Sequence, residues 1–209
     1  ALPAPGSGAS IQAATPLEDA LRRTLLLVVA STATLWTVRI AQGSDGRRVG
    51  AVAVVAGTAA ILVAAAGWAP DASRAVAVAV QLIVLAAVTG CAFAAMVLAH
   101  WYLVTPKLSE APLLLLSQAL GVGIAIQIAL FGVWQALGVG GFGSGWDFFA
   151  ILRLAIGLAF PAALTYGGWY TARGRSMESA TGLLYIDLGA VVTGTILAAG
   201  LLFGAGIFV

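Results

Sequence analysis

Six times this sequence runs through a stretch long enough to cross a bilayer with hardly a charged side chain in it. A helix needs roughly 20 mostly apolar residues to span about 30 Å of hydrocarbon, and that requirement dominates every other reading of the chain. Hydrophobic residues make up 61% of the 209, and charged residues only 9%, against about 25% in soluble domains. A soluble fold of this size has no interior large enough to bury so much apolar surface. The expected class is an all-α integral membrane protein with six transmembrane helices arranged as helical hairpins.

Punctuation along the chain sets the boundaries. Residues 1–15, opening Ala1-Leu2-Pro3-Ala4-Pro5-Gly6, read as a flexible tail, since a basic segment followed by an apolar stretch, as in a secretory signal, is not seen. Residues 16–209 form the transmembrane domain. Thr15, Pro16 and Glu18 make a capping box with proline at the first helical position, so the first helix is expected over 16–41. Arg22, Arg23 and Arg39 are placed to snorkel from it toward the headgroups. The turn from Gln42 to Gly46 leads to a second span, 49–68, which ends at Ala69-Pro70-Asp71. A third covers 72–104 and stops at Pro106. Ser109 can cap a fourth, 110–138. The glycines from Gly138 to Gly145 read as a flexible connection, and Ser144 to Asp147 has the spacing of another capping box for a fifth helix, 145–171. Ser176 opens the sixth, 177–205.

Six spans place both ends of the chain on one side. Arg39, Arg47, Arg48, Lys107, Arg173 and Arg175 fall on the hairpin-loop face, against Arg22, Arg23, Arg74 and at most Arg153 on the other. By the positive-inside tendency the hairpin loops are expected to be cytoplasmic and both termini outside, in a multi-pass protein of the cell membrane.

Trp101-Tyr102 recurs 68 residues later as Trp169-Tyr170, and the same offset aligns Lys107 with Arg175 and Glu110 with Glu178. This suggests that the last two hairpins are a parallel internal repeat. A weaker match of Trp36 and Asp45 to Trp101 and Glu110 extends it to all three. An aromatic belt at the headgroup level, with carboxylates in the first turns of helices, accounts for the same residues without a repeat.

Few residues suggest chemistry. Cys91 is the lone cysteine and His100 the lone histidine, which excludes an internal disulfide, a thiolate zinc site, a four-cysteine iron–sulfur cluster and a haem held by two histidines of this chain. The net charge of +2, scattered over the chain, gives no nucleic-acid footprint. No phosphate-binding loop, nucleophile triad or metal-ligand cluster is visible, so no catalytic activity of its own is expected. Ionisable groups at membrane depth are costly and therefore informative. Asp187 lies about 15 Å into the sixth helix, at a depth that His100 can share. A His100–Asp187 pair, with Trp101 and Tyr102 nearby, is the expected quinone or proton site. Arg153, Lys107 and Arg175 are the expected contacts to a partner or to lipid, with snorkelling the plainer reading of Arg153. Pro161 interrupts the fifth helix and frees a carbonyl near Gly157.

Three functions fit these features. The first is a membrane-embedded subunit of a larger electron-transfer complex, respiratory or quinone-linked, either structural or contributing to a quinone site, with quinone or bound lipid as the expected cofactor and other membrane subunits as partners. The second is a small transporter or channel built from parallel hairpins, in which Asp187, Gln118 and Gln127 would converge on a water-accessible cavity. The third is a membrane scaffold or assembly factor.

Overall fold

A computed structural model of the chain describes residues 15–69, 71–105 and 108–209. The tail up to residue 14, the breaker Pro70, the stop Pro106 and Lys107 lie outside the described residues. The protein is helical, and six of its helices are long and apolar enough to cross a membrane: α1 (Pro16–Ala41), α2 (Arg47–Trp68), α3 (Ala72–Val104), α4 (Ala111–Ala136), α5 (Asp147–Arg173) and α6 (Met177–Ala205). The second begins two residues before Val49, because Gly46 ends the turn and Asp45 accepts a hydrogen bond from the Arg47 N–H.

The chain divides into two compact units, one ending at Ile83 and the other running from Val84 to Val209. In the first, α1 packs along α2. Thr15 and Glu18 close the capping box at the start of α1. Arg22 and Arg23 are tied to Asp19, and the Arg22 guanidinium lies 4.9 Å over the Trp68 ring. None of the α1 residues is buried, as suits a helix bathed in lipid. Its hydroxyls are satisfied within the helix: Thr24, Ser31 and Thr34 each donate to the carbonyl four residues back.

The second unit packs four segments: α3 from Val84 onward, α4, α5 and α6. Three apolar layers lie along it, each drawing on three or more of these segments: Ala99, Leu113, Ala172 and Leu184; Val88, Leu120, Ile124 and Val191; and Phe131, Ala150, Leu158 and Ala198. Small side chains recur because without water between helices, association depends on close packing. On α6 the buried residues Ala180, Leu184, Asp187, Val191, Gly194, Ala198 and Leu201 repeat at alternating steps of four and three, the seam of a left-handed helix pair. This stripe carries the one acidic group of the helix interior.

The connection from Gly138 to Gly145 is stitched in place rather than slack. Gln135 accepts from the Phe142 N–H at 3.1 Å and donates to its carbonyl at 3.2 Å. Gly143 and Gly145 take left-handed backbone, φ +76° and +85°, which curls the chain so that Asp147 accepts from the Gly143 N–H at 2.7 Å. The capping box expected from Ser144 to Asp147 therefore does not form, and α5 starts at Asp147. Residues Ile207 to Val209 fold back onto this connection, with the Phe208 N–H bonded to the Val139 carbonyl.

Candidate functional site

Besides cross-helix bonds such as Thr89 with Thr195, polar side chains of the second unit gather at two nodes and one groove. The first node begins with the proline of α5. Pro161 offers no N–H to the turn before it, and over Ala155–Ala159 the helix widens into a π turn, the Phe160 N–H reaching back five residues to Ala155. The Gly157 carbonyl is taken up by Arg153, whose Nη1 donates to it at 2.7 Å. Nη2 donates to Gln127 Oε1 on α4 at 2.8 Å. The Gln127 amide in turn reaches the Val84 carbonyl of α3 at 3.5 Å. Arg153 is only 1% exposed, so it does not snorkel. It turns inward because an acceptor freed by proline lies one turn ahead of it on the same helix face. Glycine is required where this node meets α6: a Cβ on Gly157 would lie 2.7 Å from the Gly194 Cα and equally close to Arg153 Nη1.

The second node is Asp187, fully buried. Thr165 of α5 donates to its Oδ2 at 2.6 Å, and Oδ1 has no partner among the described residues. Thr165 was not singled out by the sequence, where it looks like any other hydroxyl in an apolar helix. The heptad stripe of α6 was the available signal, because it turns Asp187 toward a neighbouring helix and away from lipid.

The expected His100–Asp187 pair is not assembled. His100 is exposed, and its Nδ1 lies 3.3 Å from the Tyr185 hydroxyl with the rings edge to face at 6.1 Å. Tyr185 and Asp187 are two residues apart on one helix, about 200° round its axis, so a histidine on the Tyr185 side faces away from the aspartate. A shared depth does not imply a shared face. The Trp-Tyr pairs also differ in setting. Trp101 is 56% exposed while Tyr102 is buried and donates to the Ser109 carbonyl; Trp169 lies beside Tyr166 at 6.1 Å and Tyr170 is exposed.

Arg175 sits in left-handed backbone at φ 60° and reaches Glu110 at 2.5 Å, tying the 174–176 connection to the start of α4. The hydrogen bond from the Glu110 backbone N–H, and after it the one from Arg175, hold the Glu110 carboxyl below the usual glutamate range.

The groove lies between α4 and α5 and has a volume of about 240 Å³; Ser117, Gln118, Gly121, Ile128, Thr165 and Trp169 are among its lining residues. Gln118 thus borders the groove, Gln127 serves the arginine node, and Asp187 lies behind Thr165, so the three do not meet in one water-accessible cavity. Groups of three or more potential metal ligands are absent among the described residues. No family model matches the chain, and comparison with the curated proteins and with solved structures returns no match.

Proposed function

We propose that the chain is a membrane-embedded, non-catalytic subunit of a larger electron-transfer assembly, respiratory or quinone-linked. The observation that carries the structural half of this reading is the use made of its intramembrane polar groups. Arg153 with Gln127, Thr165 with Asp187, and Thr89 with Thr195 at 2.9 Å are cross-helix bonds that fix the helices to one another. A transporter needs such groups along a wetted path. Here Gln127, Arg153, Thr165 and Asp187 are buried in packing contacts. Exposed aromatics support docking against neighbours, with Trp101, Tyr166, Tyr170 and Tyr185 all facing outward.

In this reading the six helices are three tandem hairpins, the last two related by the 68-residue repeat, with the hairpin loops cytoplasmic and both ends outside. The spacing of Trp101-Tyr102 and Trp169-Tyr170 and the loop arginines support it. Purification of the tagged protein from its native membrane in mild detergent, followed by mass spectrometry and an optical spectrum, tests the function. Stable cytochrome-containing partners are expected. A lone colourless oligomer would contradict the proposal.

A further inference from the structure

Carboxylates are scarce in this chain, and one of them stands unused. Of its eight Asp and Glu side chains, all but Glu178 have a hydrogen-bond or ion-pair partner among the described residues. Glu178 is exposed and lines a pocket of about 390 Å³ with Tyr102, Leu103, Leu108, Arg175, Ser176 and Met177. The pocket lies at the headgroup end of the second unit, since Tyr102 is two residues before the end of α3 and Met177 opens α6. Arg175 supplies the opposite charge. Its side chain is 63% exposed, and of the five N–H donors of a guanidinium one is committed, to Glu110.

The Ser176 hydroxyl is bonded to Ser179 Oγ, and the first-turn amides of α6 have no side-chain cap, so they add to Arg175 in favouring an anion. The pocket thus offers one place for a negative group and, three residues along the chain, one for a positive group. Leu103 and Leu108, 42% and 44% exposed, and Met177 give it an apolar remainder. Charge decides among the headgroups of a bilayer. A purely anionic one would satisfy Arg175 while setting a further negative group against Glu178 and Glu110. Choline balances the charge, but its quaternary nitrogen has no N–H to give to Glu178. A primary ammonium joined to a phosphate by two carbons meets both demands, with charge-assisted hydrogen bonds at each end. An apolar cavity of roughly 150 Å³ takes up benzene, and a pocket of about 390 Å³ has room for a phosphoethanolamine group, which is little larger, and for the glycerol next to it.

We propose that this pocket binds a phospholipid with a primary-ammonium headgroup, the phosphate accepting from Arg175 and the first-turn amides of α6, the ammonium donating to Glu178, and the glycerol end resting on Leu103, Leu108 and Met177. The site stands whether or not the chain belongs to an electron-transfer assembly.

The full chain in detergent is titrated, with native mass spectrometry as the readout, against phosphatidylethanolamine, phosphatidylcholine and phosphatidylglycerol of identical acyl chains, and against free phosphoethanolamine. The ethanolamine lipid should bind about five-fold tighter than either other lipid, the worth of one hydrogen bond, and tighter than the free headgroup, which lacks the apolar contacts. Glu178→Gln should remove the preference and leave the affinity for phosphatidylcholine as it was. Arg175→Gln should weaken binding of all three lipids, because the phosphate is common to them. Glu110→Gln breaks the same ion pair but keeps the guanidinium, so it should not weaken binding, which separates a lost phosphate contact from a disturbed fold. Equal affinity for the three lipids, tighter binding of phosphatidylglycerol, a preference that survives Glu178→Gln, equal weakening by Glu110→Gln and Arg175→Gln, or free phosphoethanolamine binding as tightly as the lipid would overturn the proposal.

Discussion

At the scale of single residues, the cost of burying Arg153 decides most. Its guanidinium has neutral acceptors, Gln127 and the Gly157 carbonyl, and a fork of fixed geometry that serves both at once. Arg153→Ala strands two buried acceptors, each worth about 1–3 kcal/mol, so a loss of roughly 2–6 kcal/mol is expected in detergent-based unfolding. Arg153→Lys keeps the charge without the fork and should fall between. Thr165→Val preserves shape but removes the one donor to Asp187 seen among the described residues, with an expected loss of about 1–3 kcal/mol. Glu110 gives a test by pH. Its carboxyl is held below the ordinary glutamate range, so its contribution is complete above that range and disappears as pH falls through the lower, folded value. A pH titration of unfolding should therefore show a small acid-side loss that Arg175→Gln diminishes, small because Arg175 is largely exposed. Which residues mattered was legible from the sequence wherever cost at membrane depth marked them, as for Arg153 and Asp187. Their partners were not, because depth along a helix leaves the direction round its axis open. His100 and Tyr185 met for that reason, and Thr165 carried no cost signal of its own.

At the scale of elements, α5 shows how one imino acid organises three helices. Pro161 removes a donor, the π turn widens the helix, the Gly157 carbonyl takes a proton donor from Arg153, and the arginine carries the link to α4 through Gln127. Pro161→Ala restores an N–H that competes for the carbonyls of this turn. The destabilisation by Arg153→Ala should then shrink by about 1 kcal/mol in the Pro161→Ala background, a coupling read by a double-mutant cycle. Equal losses in both backgrounds would show that the proline and arginine act independently. Gly194→Ala would press a methyl to within 2.6 Å of Arg153 Nη1, and overpacking of this kind costs about 1–3 kcal/mol. The freed carbonyl near Gly157 was readable from Pro161; the inward turn of Arg153 was not, since snorkelling is the ordinary outcome for an arginine near a helix end.

At the scale of the whole molecule, six apolar helices follow directly from six apolar runs, with ends set by Thr15, Gly46 and Ser176 within a residue or two. The chain's partition at Ile83 and Val84 had no sequence signal, because it falls inside the uninterrupted apolar run of α3. The reading of this protein as a sealed structural subunit, and not a conduit, rests on Asp187 being closed off from water. Cysteine labelling tests that most directly. In a Cys91→Ser background, Asp187→Cys should resist a membrane-impermeant thiol reagent applied from both faces until the protein is unfolded, while His100→Cys, on an exposed position, serves as a comparison for a lipid-facing site. Rapid labelling at position 187 in the folded protein would mean that water reaches the middle of α6, and would contradict the account.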